Sequence, residues 1–261
     1  MAKVILSTIF VLVAVCANVA TADLVTSGLV AYWSLDASTI TGTTVKDVVG
    51  GNDGTITGNP TAVAGKINGA LEFDGASSVD VTGTDALNFN GKEELSAAAW
   101  VKAASDSPVK GVVAGCCGSI VAQRDANSWA LRYDGRNAGQ EIEFIVCPNW
   151  QGDAGFGAPK LTPGEWHYVT AVVARDKMQV YLDGELVKEG PYTGPIKSDG
   201  PETDIAHATD GGFIGTIDEV AIYNKALTSD QVKQNFQAKG PLTSVSIQGK
   251  LATAWGQIKS R

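Results

Sequence analysis

Positive charge is scarce in this chain: 20 Lys and Arg stand against 28 Asp and Glu, and charged residues of every kind make up only 18% of its 261 positions. With a formal net charge of −8 and an isoelectric point near 4.8, no basic stripe exists to neutralise phosphates. That argues against nucleic acids and anionic membranes as partners. Low charge beside 44% hydrophobic residues also excludes a disordered polyampholyte, a coiled coil and a collagen-like repeat. Histidine is nearly missing. His167 and His207 have no nucleophile-elbow context, so no Ser-His-Asp or Cys-His set can be assembled around them. No Cys-x-x-Cys pair occurs, and the two histidines are far apart, so the spacing is wrong for zinc. What the chain does have is carboxylates in Gly- and Asn-rich loops, the material for a hard cation.

A membrane span is also missing, since the apolar run from Val4 to Ala17 is shorter than the ~20 residues such a helix needs. Lys3 before that run and Ala20-Thr21-Ala22 after it form the pattern of an export signal over residues 1–22. The expected mature chain starts at Asp23, is secreted, inserts in no membrane and carries 19 positive against 28 negative charges. Val15 ahead of Cys16 is not the small residue that lipid anchoring requires. Cleavage removes Cys16 and leaves Cys116, Cys117 and Cys147 where disulfides persist. Because a bond between neighbours is strained, the expected bridge joins Cys147 to Cys117 or, alternatively, to Cys116. Such a loop of about 30 residues would stabilise the fold by ~3–4 kcal/mol.

The mature chain reads as short β-prone runs punctuated by Gly, Asn, Asp and Pro. Candidate strands are 29–35, 70–73, 78–81, 95–102, 119–124, 129–133, 141–146, 165–174, 178–182 and 215–223. The pattern predicts an all-β protein, an antiparallel sandwich or barrel, over residues 23–240 with a tail at 241–261. Asp183-Gly184 between two apolar alternations predicts a tight hairpin, because such a turn needs residues that tolerate positive φ. One helix is expected at 229–239: Thr228 and Gln231 have capping-box spacing, Val232 and Phe236 share a face, and Gly240-Pro241 ends it.

The ordered series 28–36 (GLVAYWSLD), 47–55 (DVVGGNDGT), 70–75 (ALEFDG), 95–102 (LSAAAWVK), 165–170 (EWHYVT), 180–184 (VYLDG) and 213–227 (FIGTIDEVAIYNKAL) resembles the laminin-G-like jelly-roll family of the concanavalin A-like lectin/glucanase superfamily. The resemblance implies two packed antiparallel sheets in a β-sandwich. It also implies a structural calcium linking the segment after the first strand to the final strand, with Asp36, Asn52 and Asp218 as oxygen donors and Asp47 as a helper.

The superfamily holds both enzymes and binders. Its retaining glucanases carry Glu-x-Asp-x-x-Glu on one strand, bringing two carboxylates to the ~5 Å that a covalent intermediate needs. Here Glu72-Phe-Asp74 runs on to Ser77, so the second Glu is missing. Glu141 and Glu143 lie two apart on one face and read as solvated opposite Ile142 and Phe144. Aromatics in or beside loops offer a stacking surface for sugar rings. Trp150, Trp129 and Tyr133, with Asn149 and Asp153 for hydroxyls, are the candidate ligand contacts. The expected function is a non-catalytic module binding carbohydrate. The alternatives are a structural or adhesive domain with an extracellular protein partner and, third, a glycoside hydrolase-like enzyme.

Overall fold

A computed structural model describes residues 23–111, 115–136, 139, 141–153 and 155–238; the expected signal at 1–22 and the tail at 241–261 lie outside them. The principal strands in chain order are β1 (Leu29–Trp33), β2 (Gly54–Thr57), β3 (Thr61–Ala64), β4 (Gly69–Asp74), β5 (Ser78–Val81), β6 (Glu94–Ala103) and β7 (Cys116–Ala122). There follow β8 (Trp129–Asp134), β9 (Ile142–Val146), β10 (His167–Ala174), β11 (Lys177–Leu182), β12 (Glu185–Pro191), β13 (Thr203–Ile205) and β14 (Gly211–Tyr223). One α-helix among the described residues, α1 (Ser229–Gln237), closes the fold.

Two layers result. In the back layer the antiparallel order is β3–β4–β14–β6–β10–β11–β12, with β1 also on β14. In the front layer it is β2–β5–β13–β7–β8–β9. Strand β14 belongs to both: Gly211 and Gly212 pair with the short strand His207–Ala208, whereas Ile214 onward pairs in the back layer.

Period-two alternation explains the core between the layers. Leu95, Ala97, Ala99 and Val101 of β6 and Val169, Ala171 and Val173 of β10 face inward, meeting Leu131, Tyr133, Phe144 and Val146 of the front layer in one buried cluster. The outer face of the back layer is covered by α1. Thr228 and Gln231 form the expected capping box, Phe236 packs 5.5 Å from Trp100, and Asn235 accepts from Val25 N–H and donates to the Tyr223 hydroxyl. The 183–184 turn is as expected: Asp183 and Gly184 have φ of 52° and 84° and join β11 to β12.

The cysteine pairing differs from expectation. Cys116 and Cys117 are bonded to each other, and Cys147 is free and buried. Strand geometry rules out the expected bridge from Cys147 to Cys117 or Cys116. Cys116 lies opposite Asp134 at one end of β8, whereas Cys147 N–H donates to Ser128 O at the other. Six residues at ~3.3 Å each separate those ends, far beyond the ~7 Å Cα limit of a disulfide.

Candidate functional site

The expected calcium ligands fall into two places. Asp47 takes hydrogen bonds from the backbone of Tyr32, Val49, Gly50 and Asn52 and from the Asn52 amide, whose own oxygen accepts from Thr84 N–H. Both side chains thus form the hub of the loop that follows β1. Asp36 and Asp218 meet instead across the loop joining β3 to β4. Asp36 accepts from Gly69 N–H at 2.7 Å and Asp218 from Ile67 N–H at 3.0 Å. A Cβ on Gly65 would lie 2.7 Å from Asp218 Oδ2 and 2.5 Å from Gly69 O, so the loop hugs the carboxylate. Asp218 is buried and its Oδ1 has no partner; burial, with Asp36 charge adding to it, pushes its carboxyl up to about 7. An orphaned carboxylate oxygen beside a second carboxylate and loop carbonyls fits a hard cation.

The expected ligand aromatics divide in the same way. Trp129 is fully buried with its indole N–H on Gln123 and its ring edge-on to Phe89 at 6.4 Å, and Tyr133 is a core residue whose hydroxyl donates to Glu141 at 2.6 Å. Neither can stack on a sugar. The cause is alternation: Trp129, Leu131 and Tyr133 share the inward face of β8. Trp150 does lie outside the core. Asn149 and Trp150 have φ of 67° and 49°, turning the chain so that Gln151 pairs back with Val146. The indole then packs against Ala122, Ala130, Ile145 and Ala208 on the outer face of the front layer, with the Arg124 guanidinium 3.8 Å above its ring.

That outer face carries a largely buried charged network. Its central row across β7, β8 and β9 is Ser119, Arg132 and Glu143. Arg132 reaches Glu143 at 2.6 Å, Asp210 at 2.7 Å and Asp153 at 2.9 Å, while Arg124 meets Asp210 at 2.6 Å and Arg136 clamps Asp134. Asp134, Glu143 and Asp153 bring carboxylate oxygens within 4.8 Å of one another, the spacing of a metal site. The Arg132 guanidinium already fills the position a cation would take there. Burial raises the Glu143 carboxyl against the opposing pull of Arg132; for Asp134 burial also opposes ionisation, but the side-chain and backbone hydrogen bonds of Arg136 outweigh it and hold the group below its ordinary range.

Glu143 is therefore not the solvated residue its spacing suggested: it is fully buried, and Gly155 N–H donates to its second oxygen. Glu141 is held by Tyr133 instead, so the two are engaged by different partners. Sequence reasoning found Asp153 but missed Arg132, Arg124, Asp134 and Asp210. Part of the signal was present: in Trp129-Ala-Leu-Arg-Tyr-Asp134 the charges occupy the face opposite the apolar residues, and Glu143 repeats this on β9.

A two-layer antiparallel β fold closed by one short helix defines the lectin-like jelly-roll class. A laminin-G-type family model, described as Concanavalin A-like lectin/glucanases superfamily, matches residues 73–233, more than half of the chain, and the protein belongs to that superfamily. No curated protein sequence matches it. Among solved structures, domain 4 of AbnA, a GH43 extracellular arabinanase from Geobacillus stearothermophilus in complex with arabinotriose, is similar with a TM-score of 0.59 at 21% identity, over 79% of this chain and 97% of that one. The receptor binding domain of botulinum neurotoxin C/D mosaic serotype gives 0.58 at 14% identity, over 81% of this chain and 51% of that one. Trypanosoma rangeli sialidase gives 0.57 at 15%, over 82% of this chain and 33% of that one.

Proposed function

We propose that this chain is an exported, non-catalytic binding module that recognises carbohydrate on the outer face of the front layer beside Trp150, with calcium held between Asp36 and Asp218 as a structural ion. The observation that carries this reading is the part-exposed Trp150 indole on the outer face of the front layer, stacked under Arg124 and followed by the exposed rim pair Arg136 and Asp153. The buried ion pairs of Arg132 fix that rim on a rigid sheet, so that an aromatic face and hydrogen-bonding side chains lie together, the equipment that orients a sugar. The similarity to a domain solved with arabinotriose supports it. The carboxylates support a binder over a hydrolase: Glu143 is engaged by Arg132 and Glu141 by Tyr133, which leaves this pair without the two open carboxyl groups that glycoside hydrolysis uses.

The test is affinity electrophoresis of the mature chain through gels containing neutral polysaccharides. Retardation is expected, and Trp150→Ala, which also unseats Arg124, should weaken it by ~1–3 kcal/mol, roughly 5- to 150-fold. No reducing ends should be released; release that disappears in Glu143→Gln would make the protein an enzyme. One observation favours the adhesive reading as second: no indole of the expected set lies open, since Trp129 is in the core and Trp150 is capped by Arg124. Retardation indifferent to Trp150→Ala would move the assignment there.

A further inference from the structure

We infer that the cleft at the end of α1 is the seat of this chain's own C-terminal segment, with the Leu242 side chain as its anchor. The cleft has a volume of about 270 Å³ and is lined by Lys66, Ile67, Trp100, Phe236, Gln237 and Ala238. Trp100 is buried, Ile67 and Phe236 are half-buried, and the Lys66 ammonium stands 4.4 Å from the centre of the Trp100 ring. That volume is below the ~300–1,000 Å³ of sites that enclose a whole small ligand. With Ile67, Trp100, Phe236 and Ala238 in its lining, the cleft suits one aliphatic side chain.

Chain connectivity selects the occupant. Ala238 both lines the cleft and caps the helix, with φ of −62° and ψ of 132°, so the backbone leaves α1 extended. Only Lys239, Gly240 and Pro241 separate it from Leu242, and four residues reach at most roughly 14 Å. Pro241 keeps the helix from resuming. So short a link gives Leu242 a far higher effective concentration at the cleft than a second copy or a free partner would have. Charge agrees with this choice. Residues 239–261 carry Lys239, Lys250, Lys259 and Arg261 and no acidic residue, whereas residues 23–238 hold 15 Lys and Arg against 28 Asp and Glu, so the basic end is attracted to the acidic body that precedes it. Seated there, the segment covers the back layer beside α1 and leaves the outer face of the front layer open to a ligand.

The test uses the full mature chain carrying Lys66→Cys and Leu242→Cys; the native Cys147 is buried. Mild oxidation should join the two new thiols within one chain, read as a monomer on non-reducing gels and as a linked 66–242 peptide by mass spectrometry. Asp153→Cys with Leu242→Cys, which puts one thiol on the exposed rim of the front layer, should bond at least tenfold more slowly. A second readout is independent of bond geometry. Ile67→Cys should react with iodoacetamide at least tenfold faster once Leu242→Asp is added, whereas Ile258→Asp should leave that rate unchanged. Linked dimers from the first pair would give the cleft to a second copy. Equal bonding by both pairs, or an Ile67→Cys rate indifferent to Leu242→Asp, would take the segment out of the cleft, and any of these results overturns the inference.

Discussion

Burial, reinforced by the charges of Asp125, Asp80 and Glu202, pushes the Asp204 carboxyl up to about 7, and its Oδ2 has no partner. The folded state therefore holds this proton more tightly than the unfolded chain does. Between the ordinary carboxylate value and about 7, the folded form binds more protons, so this group's contribution to stability falls as pH rises through that window and is fully present only below it. Asp204→Asn should flatten that part of the stability profile, measured as urea midpoints from pH 4 to 8; an unchanged slope would refute it. Cysteine chemistry gives a second expectation at this scale. Alkylation of the denatured, unreduced mature chain should label Cys147 alone, with Cys116 and Cys117 appearing only after reduction. Cys116, Cys117 and Cys147 were legible in sequence as candidates for a bridge but their pairing was not, because pairing depends on which strand ends coincide.

Strands β7, β8 and β9 carry the most consequential cross-strand chemistry, since Arg132 ties β8 to β9 and to the segments bearing Asp153 and Asp210. Removing it strands the fully buried Glu143. Arg132→Met should cost ~3–5 kcal/mol, and Arg132→Met with Glu143→Met should recover much of that, because losing both charges is far less costly than orphaning one. Chemical denaturation of the three proteins tests this; equal destabilisation of single and double variants would show that packing, not charge, is at stake. The strands themselves were readable from alternation. Ser78–Val81 has the expected bounds, and β6, β8, β10 and β11 fall within two residues of theirs. The short pairings at Gly54–Thr57 and Thr61–Ala64 were not, because four residues rich in Gly, Thr and Ala carry too little apolar periodicity to stand out from loop.

On the scale of the molecule, Asp36 after β1, the 65–69 loop and Asp218 in β14 join the start of the fold to its end. A cation there binds only the folded chain. Calcium at 100 times its dissociation constant should add about 2.7 kcal/mol and raise the melting temperature, and Asp218→Asn should abolish the increment. Melting curves identical in chelator and in excess calcium would refute the ion. By itself the sequence determined the all-β class, the 183–184 hairpin, the capped helix and the membership of the superfamily, since each follows from local periodicity, turn chemistry or an ordered motif series. Only the tertiary structure decided which of those residues work together. Alternation says that Trp129 and Tyr133 share one face of β8 and Arg132 and Asp134 the other; it does not say which face meets the second layer. Packing turned the aromatics inward and left the arginine network on the outer face, where residues from β8, β9 and two loops distant in sequence converge.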